Sequence, residues 1–121
     1  MINILLVEDN STDAELFTEA FTEACECPHH IQVASDGEEA LRLLRAMEVK
    51  PHLVLLDLNL PKMSGLEVLQ ELRQDVDPAL NILPIIVLTN SRSSQDVTTA
   101  YSYRCNAFVR KPMGYPNILR T

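Results

Sequence analysis

Three carboxylates, a hydroxyl and an amine stand just behind short apolar runs in this sequence. Glu8 and Asp9 follow the run at 3–7 (NILLV), Asp57 follows 53–56 (LVLL), Thr89 follows 85–88 (IIVL), and Lys111 follows 107–110 (AFVR). If those runs are neighbouring strands of one sheet, the five side chains share a crevice at its carboxyl edge. Three carboxylates gathered there cannot stay ionised unaided. At an effective dielectric near 20, each pair about 4 Å apart costs roughly 4 kcal/mol. Lys111 offsets part of that and a hard divalent cation the remainder. Magnesium suits such a site, since it takes few carboxylates, keeps waters and shares phosphate oxygens. The chemistry implied is phosphoryl transfer. Asp57 is the candidate nucleophile, forming an aspartyl phosphate. Glu8, Asp9 and Asp57 would hold the cation, Glu8 through water, with the backbone carbonyl of Asn59 as a further ligand. The cation and Lys111 would neutralise the equatorial oxygens of the transferring group, and Thr89 would donate its hydroxyl to it. Taken singly, an acidic pair is usually a loop or cap and a lysine a solvated charge. Five such residues behind successive apolar runs are harder to assign to chance.

The elements that must position them can be read from spacing. Four consecutive aliphatics at 53–56 cannot be half solvated, so they predict a strand buried on both faces of a parallel sheet. Pro61 lacks an N–H and turns the backbone away. Strands are also expected at 3–7, 31–34, 85–88 and 107–110. Helices are expected over about 12–25 (Ala14, Phe17, Phe21 and Ala24 inward), 38–47 (Leu41, Leu44 and Met47 or Ala46 inward), 65–74 (Leu66, Leu69 and Leu72 inward) and 93–104 (Val97, Ala100 and Tyr101 inward). Asn10 or Ser11, Ser64, and Ser93 or Ser94 are the candidate caps. Residues 75–83 read as a loop. Strand and helix alternate at crossover lengths that suit βαβ units, so the expected fold is α/β, a doubly wound five-stranded parallel sheet.

One departure stands out. Only nine residues follow Pro112, punctuated by Gly114 and Pro116, so a fifth covering helix should be short or missing. The face bearing the first helix would then be bare, through truncation or because another subunit covers it. A homodimer through that side is one expected partner state.

Composition bounds the rest. With 121 residues, one domain over 1–121 is expected, large enough for a sizeable core. Net charge is −7, which argues against nucleic acid and anionic membrane as partners. No stretch nears the ~20 apolar residues of a membrane span, and no basic-then-apolar leader starts the chain, so a cytoplasmic place is expected. Three cysteines, an odd number, fit reduced thiols better than a disulfide framework. The cluster Cys25-Glu-Cys27-Pro-His29-His30 matches no usual zinc spacing and reads as a helix-end loop.

The ordered set VEDN (7–10), LLDLNLPKMSG (55–65), VLTN (87–90) and FVRKP (108–112) resembles the receiver domain of two-component response regulators, the CheY-like fold. The resemblance spans nearly the whole chain. It implies sheet order 2-1-3-4-5, a cis peptide before Pro112, a sensor histidine kinase as phosphodonor to Asp57, and a requirement for magnesium. It further implies a switch made by Thr89 and Phe108, where relatives often carry Tyr, and tuning of phosphoryl lifetime by Asn59 and Asn90. The segment from Leu83 to Pro112 is similar to single-domain regulators paired with phytochrome-type kinases. The function implied is a phosphoacceptor signalling protein rather than an enzyme, acting on a downstream protein target or phosphotransfer protein.

Other classes fit less well. A haloacid-dehalogenase-type phosphohydrolase needs a second aspartate two residues after the nucleophile, where this chain has Asn59. A flavin carrier needs a phosphate-binding loop after the first strand. A phosphorylation-independent module of the same fold is the remaining alternative, opposed by the intact Asp9, Asp57, Thr89 and Lys111.

Overall fold

Short apolar runs form the strands and the amphipathic stretches between them form helices. In chain order these are β1 (Ile2–Val7), α1 (Ser11–Ala24), β2 (His29–Ala34), α2 (Gly37–Ala46), β3 (Leu53–Asp57), α3 (Gly65–Arg73), α4 (Pro78–Asn81), β4 (Ile85–Thr89), α5 (Ser94–Ser102) and β5 (Ala107–Arg110). The computed structural model describes residues 1–89 and 94–110. Five parallel strands lie in the order β2-β1-β3-β4-β5, the order that the resemblance implies. Asn90, Lys111, the bond before Pro112 and the expected loss of a helix after β5 lie outside the described residues.

Side chains alternate across the sheet with the period of a strand. Leu5, Val7, Val54, Leu56, Ile85 and Val87 enter one core with Leu41 and Leu44 of α2, Val68, Leu69 and Leu72 of α3, and Ala100 of α5. Ile4, Leu6, Leu55 and Leu88 enter a second core on the opposite face, against Ala14, Phe17 and Ala20 of α1. Among the described helices, α1 alone covers that second face. Burial on both faces is why β1, β3 and β4 read as unbroken apolar runs.

The helix starts are coded locally. Asn10, Asp36 and Ser64 each accept a hydrogen bond from the backbone N–H three residues on, that of Asp13, Glu39 and Glu67. Each cap is worth about 1 kcal/mol. Residues 75–83 are not all loop. Asp77 accepts from the Ala79 N–H and Pro78 presets the first helical φ, so one turn, α4, forms inside the segment. The buried stripe of α1 steps 14, 17, 20, so Phe21 is only partly buried and Ala24 exposed. In α3 Val68 is buried and Leu66 only partly so, and Tyr101 of α5 is exposed. Tyr103, past the end of α5, packs against the core. Strand β2 starts at His29, two residues before its apolar run, because its polar first residues pair with Ile2 and Asn3 at the sheet edge.

Cys25 and Cys27 are joined as a disulfide, against the expectation of reduced thiols, and Cys105 is free and buried. The extended backbone of Cys25 after α1 leaves the two Cα atoms 5.4 Å apart, inside the range that a bridge spans.

Arg73, the last residue of α3, ties the amino-terminal end of the sheet together. Its guanidinium donates to the carbonyls of Asn81 (3.1 Å), Leu83 (2.8 Å) and Arg104 (3.0 Å) and to Asn106 Oδ1 (3.0 Å). Asn106 Oδ1 also accepts the Ile85 N–H at the start of β4, and its own N–H donates to the Ile85 carbonyl. Burial, then the neighbouring Arg104, pushes the Arg73 pKa below its ordinary value. Among the described residues, four acceptors and no carboxylate hold this cation in place.

Gly65 marks the opposite, carboxyl end. A Cβ there would lie 2.2 Å from the Asp57 carbonyl oxygen and 2.7 Å from Leu58 Cα, both backbone atoms that cannot rotate away. The Gly65 N–H donates to the Leu58 carbonyl at 3.0 Å, so α3 presses directly on the end of β3. Gly65→Ala should therefore lower unfolding free energy by about 2 kcal/mol or more, since overpacking a backbone contact has no cheap relaxation. A denaturation midpoint equal to that of the unsubstituted protein would show that α3 can lift off β3.

Candidate functional site

The sheet order decides which side chains meet. From β1 the chain crosses to β2 on one side and later to β3 on the other, which opens a crevice at the carboxyl ends of β1 and β3. Val7 pairs with Leu56, so Glu8 and Asp9 leave β1 level with Asp57. Asp57 pairs with Leu88, which sets Thr89 at the next strand end.

One carboxylate oxygen from each of Glu8, Asp9 and Asp57 lies within 4.8 Å of the others. Glu8 and Asp57 are buried, at 3% and 6% exposure, and Asp9 is exposed. Close, partly desolvated carboxylates repel by several kcal/mol per pair. Backbone donors answer part of that charge. The Asn59 N–H donates to Asp57 Oδ1 at 3.0 Å and the Asn10 N–H to Glu8 Oε2 at 3.4 Å. An all-oxygen donor set of this charge fits a hard divalent cation, with the exposed Asp9 on the side open to solvent. When bound, such a cation would neutralise both the carboxylates and any anionic group brought to them.

Thr89 is fully buried, and its Oγ1 accepts a hydrogen bond from Asn59 Nδ2 at 3.4 Å. Asn59 itself is exposed and so links the buried hydroxyl to the mouth of the crevice. Phe108 pairs with Val87 across β4 and β5 and packs, partly buried, against the larger core. Of the residues expected at the site, the structure gathers Glu8, Asp9, Asp57, Asn59 and Thr89, while Phe108 packs against the larger core. Lys111 and Asn90 lie outside the described residues.

The cap at Asn10 is as expected, but two further features went unread in the sequence. Asn10 also donates its N–H to Glu8, so helix start and acidic site are one piece. Its place directly after Glu8 and Asp9 was the available signal. Lys62, in the loop beyond Asp57, adopts a left-handed conformation with φ 66° and stands 4.0 Å from Asp36. A non-glycine residue there gives no sequence signal.

Comparison with known proteins agrees with this geometry. The family model for the response regulator receiver domain matches residues 4–121. The chain is 40% identical to the probable methanogenesis regulatory protein FilR2 of Methanothrix harundinacea (strain 6Ac), over 98% of this chain and 77% of that one. It is 34% identical to the response regulator Rcp1 of Synechocystis sp. (strain ATCC 27184 / PCC 6803 / Kazusa), over 97% of this chain and 81% of the relative. The crystal structure of the Mn2+-bound form of Rcp1 matches with a TM-score of 0.86, covering 99% of this chain and 88% of that one at 34% identity. The phosphorylated cyanobacterial phytochrome response regulator RcpA matches with a TM-score of 0.88 at 36% identity, covering 98% of this chain and 86% of that one.

Mn2+ binding followed by titration calorimetry should weaken at least about tenfold in Asp9→Asn, the ~1.4 kcal/mol expected from losing one anionic ligand. Unchanged affinity would place the cation somewhere other than among these three acids.

Proposed function

This chain belongs to the response regulator receiver family, and from that premise we propose that it accepts a phosphoryl group on Asp57 from a sensor histidine kinase and signals through a changed protein-binding surface. The observation that carries the proposal is the meeting of three carboxylate oxygens within 4.8 Å at the crevice between β1 and β3, two of the acids being buried. Magnesium is the proposed cation, held by the side chains of Glu8, Asp9 and Asp57 and the backbone carbonyl of Asn59.

In the proposed transfer, the Asp57 carboxylate attacks the phosphorus in line. The bond from phosphorus to the donor imidazole nitrogen breaks, and its electron pair returns to the ring. The Asn59 N–H, already on Asp57 Oδ1, orients the nucleophile. Lys111 neutralises charge on the transferring oxygens. Thr89 accepts from the Asn59 amide, which is compatible with its own hydroxyl proton going to a phosphoryl oxygen. Phe108 is the proposed second switch residue, its ring moving further inward as Thr89 engages the phosphoryl group. Asn59 and Asn90 are the residues proposed to set how long the acyl phosphate lasts. Transfer and hydrolysis are then the chain's own reactions on itself, with no turnover of a free substrate.

The likeness to RcpA supports a phytochrome-type kinase as donor. The signal passes to a downstream protein or a phosphotransfer protein. A second copy of the chain is a further proposed partner, through the side bearing α1. Leu16 on that helix is 49% exposed and Val33 on the edge strand β2 41% exposed. In sedimentation velocity, Leu16→Glu should shift any dimer toward monomer, and a protein monomeric at high concentration before substitution would remove this partner.

Acetyl phosphate labelling read by intact mass tests the central reading. One phosphoryl group should be gained with magnesium present, and none after chelation or in Asp57→Asn. Label retained in Asp57→Asn would mean another acceptor. No gain under any condition would return the chain to a phosphorylation-independent binding module.

A further inference from the structure

The turn from α1 into β2 holds a pair of sulfurs that the acidic site does not use. Cys25 caps α1, its N–H donating to the Phe21 carbonyl at 2.8 Å. Cys27 follows two residues later, and the two are bonded to each other. Both are half-buried, with the exposed Glu26 between them and the exposed Glu23 and Pro28 on either side. We propose that Cys25 and Cys27 are a reversible dithiol–disulfide couple that exchanges with low-molecular-weight disulfides such as oxidised glutathione.

Four observations carry this. A bond closing a loop this short removes little chain entropy, so it serves poorly as a staple. The pair sits at the surface in a turn, so making or breaking it disturbs neither core. The histidine beside it is already committed. His29 Nδ1 faces the Cys27 carbonyl at 3.0 Å and Nε2 the Thr22 hydroxyl at 3.2 Å. A carbonyl only accepts, so Nδ1 carries the proton and Nε2 takes the Thr22 hydrogen, which leaves neither nitrogen for a metal bound by the two sulfurs. The ring also stands edge-on to Phe21, at 4.9 Å between centroids. Lastly, the remaining thiol is set apart: Cys105 is buried, and burial raises its pKa and keeps it un-ionised.

The exchange is a balanced two-electron step. One protein thiolate attacks the glutathione disulfide and expels the first glutathione thiolate, which takes up a proton. The second protein thiolate attacks the sulfur of the mixed disulfide that belongs to the protein, and expels the second. One S–S bond is broken in the oxidant and one is made between Cys25 and Cys27, with both protons ending on glutathione. The consequence is local. Cys27 holds the His29 ring through its carbonyl, and the next carbonyl, that of Pro28, accepts the Ile2 N–H at 3.0 Å. Oxidation therefore stiffens the turn from which the β1–β2 ladder begins.

The test uses the full chain, reduced, desalted, exposed to oxidised glutathione and read by intact mass after trapping with N-ethylmaleimide. The unsubstituted protein should lose two hydrogen masses and retain no glutathione, while Cys25→Ser and Cys27→Ser should each retain one glutathione. Cys105→Ser should still lose two hydrogen masses, and the Ile2 amide should exchange several-fold more slowly in the oxidised protein. Glutathione retained on the unsubstituted protein, maleimide taken up by both Cys25 and Cys27 after oxidation, or a loss that disappears in Cys105→Ser would each overturn the assignment.

Discussion

Like charges held against their own repulsion are the constraint around which this structure is built. Glu8, Asp9 and Asp57 have oxygens within 4.8 Å of one another, and two of the three acids are buried. Nothing in a carboxylate favours that arrangement, so the fold has to impose it. Parallel strands do so by ending together: β1 and β3 are neighbours in register, and their carboxyl ends open at the place where the crossovers diverge. The backbone N–H groups of Asn59 and Asn10 then point into the cluster, and the same Asn10 starts α1. A site of this kind stores an affinity for positive charge, and that is what suits it to a divalent cation.

The central strands were legible because burial on both faces leaves no polar positions in them. LVLL followed by Asp57 admits few other readings, and NILLV and IIVL are similar. Once those runs were strands, their trailing residues marked the site. What stayed hidden depended on tertiary context. The one turn of α4 comes from Asp77 and Pro78 inside a stretch that otherwise looks like loop. Whether Phe21 or Ala20 faces inward on α1 is a difference of a single residue step, which α1's seating on the sheet decides. Strand β2 opens with two histidines at the sheet edge, where no apolar signal exists. The bond between Cys25 and Cys27 was concealed by an odd cysteine count, which says how many thiols must remain and nothing about the other two.

The helix faces show the same division. On the side of α2, α3 and α5, leucines and valines from three helices meet alternate strand residues in one continuous core. On the other side, a single described helix supplies three small or aromatic contacts to four aliphatic ones. The first face is specified by many mutually supporting contacts, yet Leu66 and Tyr101 were misjudged there. The second rests on fewer, and Phe21 and Ala24 were misjudged on it.

Arg73 gives the molecule a second kind of asymmetry. Its fork gathers the carbonyls of Asn81, Leu83 and Arg104 and the amide of Asn106 at the end of the sheet far from the acids. The sheet is tied at one pole and the acids gather at the other, with the strands and α3 running between them. Loops at the acidic pole can therefore change without breaking the four bonds of Arg73, provided Gly65 keeps its place against β3. That distance is a physical basis for modularity: a substitution in those loops acts on the acids while the far end of the sheet stays tied.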